Sequence, residues 1–173
     1  MKFYIETERL IMRPLVPEDA EGMFALDSDP EVHRYVGGKP VKTMAESRNV
    51  IEIIRKQYEQ NGIGRAAVVE KSSGKFIGWC GLKLITTPTN GHNDYLDVGY
   101  RFIKEHWGKG YAKETAKAAV EYARLNMPDK EVYGMADENN AASRRVLESA
   151  GLQFIELFDF EGDVHAWYKL AEV

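Results

Sequence analysis

The stretch Trp107-Gly108-Lys109-Gly110-Tyr111-Ala112 has the residue types to hold an anion. Two glycines one residue apart let the backbone come close to a bulky charged group. A helix that begins directly after them presents unpaired N–H groups and the positive end of its dipole. His106, Lys109 and Lys113 add positive charge nearby. The expected chemistry is a cradle for phosphate or pyrophosphate, although the same spacing also serves a plain strand-to-helix turn. A third glycine at dinucleotide-fingerprint spacing is absent, and no Gly-Lys-Ser/Thr follows a first glycine as a P-loop requires. Cys80 lies between Trp79 and Gly81 in an apolar run, the setting of a packing residue and not of a nucleophile. His33, His92, His106 and His165 are dispersed without ligand spacing, so no metal site is expected.

The elements around this loop follow from periodicity. A strand is expected near Arg9–Arg13. A helix follows at Pro17, with Glu18 and Asp19 in its first turn and Ala20, Met23 and Phe24 on one face. A second helix runs from about Ala45 to Gln60, with Val50, Ile51, Ile54 and Tyr58 as its stripe and Asn61-Gly62 as its stop. Strands at 66–70 and 75–82 flank Ser72-Ser73-Gly74 as a hairpin. The polar stretch 86–94 reads as a surface loop. Leu96, Val98, Tyr100 and Phe102 alternate with Asp97, Gly99 and Arg101 as a strand. A helix from about Gly110 to Asn126, a strand at 131–136, a helix from Asn140 to Ala150 and a hairpin of 154–160 with 164–170 complete the chain. The expected class is α/β (α+β), a mixed sheet of about six to seven strands with helices on both faces and a βαβ unit in the middle.

Length and charge narrow the function. A chain of 173 residues suggests one domain over residues 1–173. One cysteine excludes an internal disulfide framework, and 23 Lys+Arg against 27 Asp+Glu excludes a large basic surface for nucleic acid. No apolar run approaches a membrane span of ~20 residues, and the N-terminus lacks a signal-peptide core. A cytoplasmic location without membrane or nucleic-acid partners is the expectation.

The segment from Asp97 to Glu114, with its Gly108-Lys109-Gly110-Tyr111-Ala112 core, resembles the central motif of the GNAT-family N-acetyltransferases. Glu6-Thr7-Glu8-Arg9-Leu10 with Asp19-Ala20, and Asn139-Asn140-Ala141-Ala142-Ser143 through Gly151-Leu152, are similar to two further signatures of its RimJ/RimL-type branch. The likeness spans essentially the whole chain in the right order. Trp107 departs from the Gln or Arg of the wider family, and Leu152 stands where Phe is usual. The resemblance implies a strongly twisted sheet opened like a V between its fourth and fifth strands, with acetyl-CoA in the opening. It implies that backbone amides from Gly108 to Lys113 meet the pyrophosphate. Backbone groups of Tyr100, Arg101 and Phe102 would pair with the pantetheine arm. Asn140 would contact that arm, and Ser143 would lie near the thiol.

Acetyl transfer to an amine requires a neutral amine, a polarised thioester and a stabilised leaving thiolate. Asp97 matches an acidic position of the branch and is the candidate general base; a solvated or sheet-pairing aspartate is the competing role. Ser143 is the candidate donor to the thiolate, against a hydroxyl that bonds its own helix turn. Asn140 also suits a helix N-cap. The implied reaction is direct attack in a ternary complex by a primary amine, either a protein N-terminal α-amine or a small-molecule amine, in a monomer or homodimer. A non-catalytic acyl-CoA-binding module is the alternative.

Overall fold

Period-2 alternation and helical stripes build one continuous layer of strands covered on both faces. The computed structural model describes residues 3–172. The elements are β1 (Ile5–Glu6), β2 (Leu10–Pro14), α1 (Ala20–Asp27), α2 (Met44–Asn61), β3 (Arg65–Glu70), β4 (Phe76–Ile85), β5 (Tyr95–Phe102), α3 (Tyr111–Asn126), β6 (Val132–Asp137), α4 (Ala141–Ser149), β7 (Leu152–Phe160) and β8 (Asp163–Leu170). The strands form one eight-stranded sheet in the order β1-β2-β3-β4-β5-β6-β8-β7. All neighbours are antiparallel except β5 and β6. Six to seven strands were expected; the additional one is β1, a two-residue edge that pairs Ile5 with Met12 and Glu6 with Ile11. Two residues are too few to display a period.

Helices α1 and α2 cover one face. Met23, Leu26, Ile51, Ile54 and Tyr58 pack there with Leu15 and Ala67. Helix α2 starts on a reciprocal capping box, in which the Glu46 N–H donates to Thr43 Oγ1 at 3.3 Å and the Thr43 N–H donates to Glu46 Oε2 at 2.9 Å. It stops at Gly62 in the left-handed conformation. At Pro17 the chain makes a 3₁₀ turn before α1 begins at Ala20. Asp19 does more there than complement a dipole, because its buried carboxylate accepts both terminal nitrogens of Arg13 at 2.8 Å.

Helices α3 and α4 cover the other face. Ala116, Ala119 and Ala123 are fully buried, and their small side chains let α3 lie close over β4 and β5. The buried even-numbered residues of β5, Leu96, Val98 and Phe102, join this second core. Cys80 is part of it too, with no exposed surface. No helix among the described residues is long and apolar enough to cross a membrane.

Candidate active site

β5 and β6 are parallel, so no turn holds them together at both ends. Their pairing covers only Leu96 with Val132 and Asp97 with Tyr133. Beyond that point β5 continues to Phe102 and β6 to Asp137 without meeting. The Leu96 N–H donates to the Glu131 carbonyl at 2.9 Å, so by alternation the N–H and C=O groups of Val98 and Tyr100 point into the gap. The Phe102 carbonyl is already used: it accepts the indole N–H of Trp107 at 2.8 Å. Trp107 thereby anchors the turn that leads into the glycine loop.

That loop has the geometry its glycines demand. Gly108 and Gly110 have φ of 73° and 80°, a region that side chains with a Cβ rarely enter. A Cβ on Gly108 would meet open space, so the loop is accessible from outside. Gly110 caps α3 without a side-chain bond, and its carbonyl takes the first helical bond, from the Glu114 N–H at 3.1 Å. The amides of Tyr111, Ala112 and Lys113 are left without helical acceptors. A clamp from the turn between β1 and β2 fixes this geometry. Glu114 Oε1 accepts Thr7 Oγ1 at 2.6 Å and the Arg9 N–H at 2.9 Å, and Glu114 Oε2 accepts Arg9 Nε at 2.7 Å. Arg9 Nη1 donates to the Lys109 carbonyl at 2.8 Å, and its guanidinium lies 4.5 Å from the Tyr111 ring centre. Burial pushes the Glu114 carboxyl up, but the Thr7 and Arg9 bonds outweigh it, so it titrates below its ordinary value.

Helix α4 closes the gap from the β6 side. Asn140 caps it, its Oδ1 accepting the Ser143 N–H at 3.1 Å. The Tyr100 hydroxyl donates to the Ser143 carbonyl at 2.7 Å and lies 2.9 Å from Ser143 Oγ. Burial pushes the Tyr100 hydroxyl pKa upward, so it remains a protonated donor at neutral pH.

Two cavities adjoin here, sharing Tyr100, Arg101, Asn140 and Ser143 together with Tyr35 and Val36 of the α1–α2 connection. The first, of about 660 Å³, runs along the glycine loop. Of the sequence-predicted residues it gathers Tyr100, Arg101, Phe102, Trp107, Gly108, Gly110, Tyr111, Ala112, Lys113, Asn140 and Ser143. Lys109 does not line it; its carbonyl is held by Arg9. The second, of about 540 Å³, opens on the α1–α2 face, and Tyr100, Arg101, Asn140 and Ser143 line it as well.

Asp97 lines the second cavity and is buried. Its carboxylate is paired with Arg65 Nη2, while Arg65 Nη1 donates to the carbonyls of Gly81 and Asp97 at 2.6 Å each. This crossing passes over Gly99, where a Cβ would stand 2.7 Å from Arg65 Nη2. Arg101 points to the same face, its Nη1 donating to Asp27 Oδ1 at 2.8 Å. Trp79 stands between the two guanidinium groups, 5.4 Å from Arg65 and 5.2 Å from Arg101. Sequence reading missed Arg65, Trp79 and Asp27 because each acquires its meaning from a partner far away in the chain. Cys80 stays outside both cavities, and burial pushes its thiol up to about 11. Among the described residues no cluster of His, Cys, Asp and Glu has the arrangement of a metal site.

Parted strands, free helix-terminal amides and two adjoining cavities suit a transferase with two substrates. The chain matches the acetyltransferase (GNAT) domain over residues 9–153 and belongs to that family. It is an acetyl-CoA-dependent N-acetyltransferase. It is 28% identical over 147 residues to the uncharacterized N-acetyltransferase p20 of Bacillus licheniformis, covering 85% of this chain and 80% of the relative. It is 33% identical over 158 residues to the FsC-acetyl coenzyme A-N(2)-transacetylase of Aspergillus fumigatus, covering 89% of this chain and 66% of the relative. The fold is similar to a GNAT-family acetyltransferase of Bacillus anthracis, with TM-score 0.80, 22% identity and coverage of 97% and 98% of the two chains. It is also similar to RimL, a ribosomal-protein α-N-acetyltransferase in complex with coenzyme A, with TM-score 0.79, 16% identity and coverage of 96% and 97%.

Proposed function

We propose that the protein is a cytosolic acetyltransferase of RimJ/RimL type that moves the acetyl group directly to a primary amine, with the two substrates approaching from opposite faces of the sheet. One observation carries this reading: the two cavities adjoin where β5 has left β6, with Tyr100, Arg101, Asn140 and Ser143 lining both. The residues of the first cavity suit acetyl-CoA. The amides of Tyr111, Ala112 and Lys113 suit a pyrophosphate, and the open edge of Val98 and Tyr100 suits an amide-bearing pantetheine arm. Bound there, acetyl-CoA supplies a thioester, which the amine attacks as the C–S bond breaks.

The chain's own groups then have separate tasks. Ser143 Oγ donates a hydrogen bond toward the leaving sulfur, and the Tyr100 hydroxyl, which donates to the Ser143 carbonyl, holds that residue in place. A thiol has a pKa of ~8.5, well below that of the buried Tyr100 hydroxyl, so Tyr100 serves as a hydrogen-bond donor that keeps its proton. Asp97, the acid singled out by sequence, acts in this proposal as a positioning residue: it holds Arg65 across the cavity floor, and the amine's proton leaves through water in the open cavity.

Thiol release should therefore depend on amine, with a mass increase of one acetyl group on the acceptor. The rate should rise with pH up to the acceptor's own pKa, ~8 for an α-amine or ~10.4 for a lysine-type amine. Asp97→Asn should retain that pH profile while lowering the rate. Loss of the rising limb would instead make Asp97 the base. Binding of acetyl-CoA with no amine-dependent release across a broad panel would favour the acyl-CoA-binding module.

A further inference from the structure

The second cavity has two differently charged walls. On the β6–β8 side stand Asp137, Glu161 and Asp163. None of them forms an ion pair among the described residues. Asp137 adjoins the junction, since the Asn140 N–H donates to its carbonyl at 2.9 Å. On the opposite side stand Arg65, Arg101 and Lys39. The two arginines flank Trp79 symmetrically but differ in what remains available. Arg65 has Asp97 and two carbonyls as partners. Arg101 is held through Nη1 by Asp27, which is 3% exposed, and by the face of Trp79. Its remaining N–H groups have no protein acceptor among the described residues. Lys39, on the α1–α2 connection, has no ion-pair partner either.

A guanidinium fixed at one corner and unfilled at the others is preorganised for a carboxylate. An amine drawn to the acidic wall beside the junction would leave the cationic wall to a second, anionic group of the same molecule. We propose that the acceptor is a small amino carboxylate and that Arg101, assisted by Lys39, binds its carboxylate. This rests on the reading of the second cavity as the acceptor site.

The test compares an α-amino acid panel with the corresponding amino-acid amides, on the wild type, Arg101→Gln, Arg101→Lys and Lys39→Ala. The ratio of wild-type to variant kcat/KM for each acceptor cancels the difference in amine pKa. Arg101→Gln should lower kcat/KM for the carboxylate acceptors about 10- to 100-fold more than for the amides, the range of a charge-assisted bond, and Lys39→Ala should show the same selectivity more weakly. Arg101→Lys should restore part of the loss. Calorimetry should show the N-acetylated amino acid binding the wild type more tightly than its amide, and acetyl-CoA binding the wild type and Lys39→Ala alike. If Arg101→Gln does not fold, because it leaves the buried Asp27 without its partner, the wild-type preference and the selective loss in Lys39→Ala decide. Equal use of carboxylates and amides, variants that weaken both acceptors alike, or weakened acetyl-CoA binding in Lys39→Ala would overturn the proposal while leaving the transferase reading intact. A panel in which no amine is acetylated would count against the transferase reading itself.

Discussion

The residues at the junction act through bonds that the chain makes locally but that reach across it. Ser143 sits in the first turn of α4 because Asn140 caps that turn, and its hydroxyl lies 2.9 Å from that of Tyr100 on β5. Removal of one preorganised donor from a transferring centre typically costs on the order of 10²-fold in rate. Ser143→Ala should therefore lower kcat by about that factor and leave acetyl-CoA affinity little changed, which stopped-flow turnover with calorimetry would separate. A drop in affinity with kcat intact would restrict Ser143 to binding. At this scale the sequence displayed the residue types well. The phase of β5 predicted the placement of Asp97, and the Asn-x-x-Ser spacing predicted the cap. The pairing of Asp97 with Arg65 was not legible, because the two lie 32 positions apart and no local pattern links them.

Among the elements, β2 and α3 form the working unit. The glycine loop lies between them, and the Thr7–Arg9–Glu114 clamp turns the resemblance of the N-terminal segment into a mechanical role. Glu114 has its pKa depressed in the folded state, so its stabilisation is complete above the unfolded value of ~4.3 and disappears as pH falls through the folded value. Glu114→Gln should remove that part of the acid sensitivity of unfolding. It should also weaken acetyl-CoA binding severalfold by freeing Arg9 and the loop. Denaturant melts across pH 3–7, with binding measured at pH 7, would check both, and an unchanged acid limb would contradict the clamp. Most helices and strands were predicted to within two residues from alternation, caps and glycine stops, as at Asn140, Gly62 and Gly151. β1 was missed because pairing with β2 defines it. The entire V was missing from the residue pattern as such, since alternation in β5 persists to Phe102 whether or not β6 stays beside it, and only the family resemblance anticipated it.

For the whole molecule, the sheet works as a partition with one opening. The first residues of α3 and α4 line the cavity proposed for acetyl-CoA, the α1–α2 connection lines both cavities, and the two adjoin where β5 parts from β6. The mildly acidic composition, −4 net, is compatible with this because backbone amides and a few local cations suit the phosphates. The direct transfer proposed here needs both substrates present at once and no acyl intermediate on the protein. The one thiol, Cys80, supports this, being buried and shifted up to about 11. The most direct measurement is a set of initial rates with acetyl-CoA and an amine varied together, for the wild type and Cys80→Ala. Intersecting double-reciprocal lines in both proteins, with turnover retained in Cys80→Ala, are expected for direct transfer. Parallel lines, with acetyl-CoA releasing thiol in one burst without amine, would contradict it.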